Sequence, residues 1–79
     1  MDIIEIYQQD IEYFRNQRDL LTSRLSNIDN INYDFDDVTF AVIQKNNDRK
    51  AWETNVNDLN KRIFDLQKKI DGLKQVVNN

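Results

Sequence analysis

The chain contains no cysteine, no proline, no histidine and a single glycine, Gly72. Without cysteine there is no disulfide scaffold, and without cysteine or histidine there is no ordinary zinc site. Nucleophilic centres built on a thiol or on a Ser–His pair are excluded as well. One glycine cannot make the phosphate-cradling loops of dinucleotide or P-loop sites. No apolar run approaches the roughly 18 residues of a membrane span. The opening residues, Met1-Asp2-Ile3-Ile4-Glu5, are acidic and lack the basic start of a secretory signal. A soluble protein is expected, in the cytoplasm or in a virion.

What remains is 79 residues, 39% hydrophobic and 32% charged, with a net charge of −3 and a pI near 4.7. Ile, Leu, Val, Phe and Trp recur in spaced order, which disordered segments lack. A domain this short buries only about 60% of its unfolded surface. With no disulfide or metal available, regular helix packing and oligomerisation are the remaining stabilisers.

Two heptad stripes carry the fold. The first is Ile4, Tyr7, Ile11, Phe14, Arg18, Leu21, Leu25 and Ile28; the second is Trp52, Val56, Leu59, Ile63, Leu66, Ile70, Leu73 and Val77. Steps alternating between three and four place each stripe on one side of a helix, the pattern of coiled-coil packing. The expected fold is all-α: an antiparallel two-helix hairpin of coiled-coil type, associating into an oligomeric helical bundle. Helix 1 is expected over about residues 3–28, capped by Asp2 with Glu5 completing a capping-box-like pair, and stopped at Asp29-Asn30. An acidic turn follows over about 29–37, then helix 2 over about 38–77. Residues 38–43 are rich in β-branched types, and Asn46-Asn47-Asp48 offers a break. A continuous helix is preferred because the second stripe extends back through Arg49, Lys45, Val42 and Val38 without losing register.

Folding near residue 33 aligns both stripes. Ile28 meets Val38, Leu25 meets Val42, Phe14 meets Trp52, Ile11 meets Val56, Tyr7 meets Leu59 and Ile4 meets Ile63. This register has a defect: Leu21 meets Lys45, and Arg18 meets Arg49. Two guanidinium groups cannot be buried unpaired in one layer. Long basic side chains can snorkel to the seam edge, or the layer can serve to fix register. Asp19, Asp48 and Glu53 are the nearest acids.

Four surfaces are left over. Ile6, Tyr13 and Leu20 form a second apolar line on helix 1, and Ile70, Leu73 and Val77 lie where helix 2 outruns helix 1. Both are expected to meet another subunit or partner. The acids of the turn Tyr33, Asp34, Phe35, Asp36 and Asp37 are read chiefly as helix caps, with contact to a basic partner or mimicry of nucleic-acid charge as the alternative. Lys61, Arg62, Lys68, Lys69 and Lys74 form a basic outer face, read chiefly as solvated and supported by Asp58–Arg62 and Asp65–Lys69 pairs. Five bases could alternatively neutralise phosphates.

A carboxylate metal site in a helical bundle needs acids at core positions, and neither stripe contains one. No cofactor and no catalytic residue are expected. The functional expectation is a non-enzymatic structural or assembly protein acting through coiled-coil self-association, such as a small component of a viral or other particle. The alternatives are an inhibitor or adaptor binding through the acidic turn, and nucleic-acid binding through the basic face.

Overall fold

The computed structural model describes residues 2–31 and 38–78, with side chains described as far as Val76. It is an all-α hairpin. Helix α1 spans Ile3–Ser26, a single 3-10 turn covers Ile28–Asn30, and α2 spans Val38–Asn78. The 24 and 41 residues of these helices correspond to roughly 36 and 60 Å at 1.5 Å per residue. The longest extent is 64 Å, set by α2.

Asp2 begins α1 as the sequence implies: its Oδ1 accepts from the Ile4 amide at 2.6 Å. A cap of this kind contributes about 1 kcal/mol. The other end differs from expectation. The α-helix stops at Ser26, and Asn27 caps it, its backbone N–H donating to the Ser23 carbonyl at 3.2 Å and its Nδ2 to the same oxygen at 3.0 Å. The chain then tightens into the 3-10 turn, with Asn30 donating to the Asn27 carbonyl at 2.9 Å. No described residue takes a left-handed conformation. Tightening of the last turn satisfies orphan carbonyls without one. It also buries Ile28.

Helix α2 is unbroken. Residues 38–43 are helical, not a strand, and Asn46-Asn47-Asp48 interrupts nothing. Helix propensity is a weak prior that tertiary packing and a continuous stripe override.

The stripes pack against each other as expected, but in a register displaced by one heptad along α2. The core cluster unites Ile11 with Ile63 and Ile70, and Ile4, Tyr7, Phe14 and Leu66 pack against it. Arg62 lies over the Phe14 ring and Lys69 over Tyr7, 5.7 and 5.8 Å from the centroids. The Arg18 Nη1 donates to Asn60 Oδ1 at 3.2 Å. In the register expected from the sequence, Phe14 would face Trp52, about 15 Å along the helix from Arg62. Those contacts are out of reach there and fall naturally into place one heptad on. The clustering of Ile11 with Ile63 and Ile70 fits the same displacement.

The physical reason lies in the defect. The displacement separates Arg18 from Arg49. Arg18 instead points three guanidinium nitrogens at Asp19 Oδ1 (Nε 3.2 Å, Nη2 3.1 Å) and Asn60. Arg49 and Lys45 both reach the Asp29 carboxylate, at 3.3 and 3.9 Å. All three basic side chains are partly buried beside exposed acids, as snorkelling from a seam requires.

Candidate functional site

The displaced register redistributes the free surface. Ile70 was expected to lie on an overhang available to another chain. It is instead the most deeply buried side chain among the described residues, 1% exposed, within the hairpin's own seam. Leu73 is half-buried, and the side chain of Val77 lies outside the described residues. At the opposite end, Val38 and Val42 lose the partners assigned to them, Ile28 and Leu25. They are 76% and 51% exposed, and Phe40 and Ile43 beside them are exposed too.

The second line on helix α1 is open. Ile6, Tyr13 and Leu20 are all exposed, as is Ile3. Tyr13 is tied to the seam through an edge-on contact with Phe14, centroids 5.7 Å apart and planes at 65°. Beside this line runs a groove of about 360 Å³ between the helices, lined on α1 by Tyr13, Phe14, Gln17 and Leu21 and on α2 by Asn55, Asp58, Leu59 and Arg62. The apolar line and the groove therefore lie on one face of the hairpin. Heptad geometry puts Glu5, Glu12, Arg15 and Asp19 around the other side of α1.

The basic residues of α2 are exposed, but they do not form one free patch. Arg62 and Lys69 cross to rings of α1, and Lys68 lies over Phe64 of its own helix, 4.9 Å from the centroid. Cation–π contacts of this type contribute about 0.5–1 kcal/mol at exposed sites. Among the described residues, Asp58–Arg62 and Asp65–Lys69 form no ion pair; the rings of α1 take both bases instead. Lys61 and Lys74 complete the set. The acidic turn residues Tyr33, Asp34, Phe35, Asp36 and Asp37 lie outside the described residues.

Among the described residues no three acids gather where they could hold a metal ion. No described helix is long and apolar enough to cross a membrane. The pairing of Asp29 with Arg49 and Lys45 was not foreseen from the sequence. Its signal was present, an acid just past a helix end and two bases at stripe positions, but reading it requires the correct register.

Comparisons with protein-family models, with curated proteins and with solved structures return no match for this chain.

Proposed function

We propose that the hairpin is a non-enzymatic assembly module that works by packing against further copies of itself. The observation that carries this reading is surface area. The chain exposes 6216 Å² at a mass of 9.5 kDa. A compact monomer of that mass exposes about 5,000 Å². The excess, on the order of 1,200 Å², is larger than the roughly 800 Å² that each partner contributes to a standard interface. Among the described residues only four side chains are buried, the isoleucines 11, 28, 63 and 70. So small a core, with neither disulfide nor metal, leaves association as the remaining stabiliser. The setting we assign is a small structural subunit of a larger particle, cellular or viral.

Light scattering at two concentrations tests the reading. The mass should be a multiple of the chain mass, and the melting temperature should rise with concentration. A monodisperse monomer whose melting does not depend on concentration rules self-association out.

A further inference from the structure

We infer that the second copy docks along the open line of helix α1, antiparallel and related by a two-fold axis at Tyr13, so that Ile6 packs on Leu20 of the other copy. This rests on the self-association reading above and adds to it a face and a direction.

The face follows from where apolar surface is exposed. Ile6, Tyr13 and Leu20 recur every seven residues, so they stack in one line along the helix. Tyr13 lines the inter-helix groove and leans on Phe14, which couples the line to the seam behind it. A helix whose apolar surface reaches past one seam is built for a second neighbour.

The occupant follows from symmetry. A two-fold interface uses the same patch on both copies, so the patch must complement itself. The line is symmetric about Tyr13, with one aliphatic residue seven positions away on each side. Turning a second α1 end for end about Tyr13 sets Ile6 against Leu20, Tyr13 against Tyr13 and Leu20 against Ile6. On one flank it also brings Asp10 within one residue of the other copy's Gln17, a carboxylate near an amide donor.

The direction follows from charge. From Asp2 to Tyr13, α1 carries four acids (Asp2, Glu5, Asp10, Glu12) and no base. From Phe14 to Ser26 it carries three bases (Arg15, Arg18, Arg24) and one acid, Asp19. Glu5, Glu12, Arg15 and Asp19 lie around the other side of α1 and Arg18 lies in the seam, so Asp10 and Arg24 are the charges that flank the line. Packed helices lie about 8–10 Å apart, close to the Debye length of about 8 Å at physiological salt, so these two are felt across the interface. An antiparallel pair moves Asp10 and Arg24 away from their own copies along the axis, whereas a parallel pair sets Asp10 level with Asp10 and Arg24 level with Arg24. The helix dipoles favour the same choice. The product is a four-helix bundle in which two hairpins share their α1 helices as the inner pair.

Cysteine crosslinking tests this directly, because the chain has no native thiol. Ile6→Cys and Leu20→Cys are made singly at exposed positions that folding does not depend on. Each is oxidised alone and as an equimolar mixture, with light scattering run in parallel. A disulfide needs Cα atoms within about 7 Å. In the antiparallel arrangement two copies of position 6 lie about 21 Å apart along the axis. The mixture should therefore give at least ten-fold more linked dimer than either variant alone. Equal linking by a single variant would establish a parallel pair and overturn the inference. An oligomer by scattering that links in none of the three samples would place the interface elsewhere, overturning the inference while self-association stands. A monomer by scattering would end both.

Discussion

The Arg49 guanidinium donates to the Asp29 carboxylate at 3.3 Å, joining the end of the first arm of the hairpin to the early part of the second. Lys45, one turn before Arg49, approaches the same oxygen at 3.9 Å. One acid thus holds two bases that both occupy stripe positions of α2. The pairing is a register mark. Were Arg49 to face Arg18, Asp29 would lie more than ten residues, about 16 Å, from it along α2.

A double-mutant cycle on Asp29→Ala and Arg49→Met should therefore return a coupling of about 0.3–1 kcal/mol, the range for exposed ion pairs. Asp29 is largely exposed, so screening should reduce the coupling substantially by 1 M salt. Urea unfolding of the four proteins at low and high salt measures it. Zero coupling at low salt would indicate that this pair does not hold the hairpin in solution.

Ile70 should be among the most sensitive positions in the chain. It is 1% exposed and sits in the cluster with Ile11 and Ile63. Truncation of a buried isoleucine to alanine costs about 2–5 kcal/mol, and an open-ended hairpin that can partly collapse belongs near the low end. Ile70→Ala should lower the unfolding free energy by about 2–3 kcal/mol at fixed protein concentration. Val76→Ala, six residues on and 75% exposed, should stay within about 0.5 kcal/mol. Similar small effects at both positions would mean that Ile70 does not pack in the seam.

How much of this was legible in the sequence depends on what a heptad can encode. The stripes identify which side of each helix faces the other, and Ile11, Ile63 and Ile70 are core residues as their positions imply. A seven-residue displacement returns each stripe to the same angular position, so periodicity alone cannot distinguish the two registers. The distinguishing information lay in the polar exceptions. Arg18 opposite Arg49 is an unfavourable layer, and one heptad of displacement removes it while giving both Arg49 and Lys45 the Asp29 carboxylate. The defect was evidence against the register rather than a feature of it. Val38 and Val42 illustrate the opposite limit: their stripe positions look like core, and they are exposed because α2 outruns α1 at that end. Burial there is set by where the partner helix stops, at Ser26, which the side-chain pattern of α2 does not contain.

Gly72→Ala should stabilise the chain. Glycine in a helix interior costs about 0.5–1 kcal/mol relative to alanine, mainly through the freedom of the unfolded backbone. Helix α2 continues six residues past this point to Asn78, and a Cβ added at position 72 meets nothing within 4 Å. Proximity to the helix end reduces the gain because fraying already samples open states, so about 0.5 kcal/mol is expected, visible as a melting temperature a few degrees higher. The sign also reports on assembly. With the second copy seated on α1, position 72 stays open and the gain should persist as protein concentration rises. A substitution that stabilises at low concentration but destabilises at high concentration would show that another chain packs against the backbone at Gly72, and that α2 belongs to the interface.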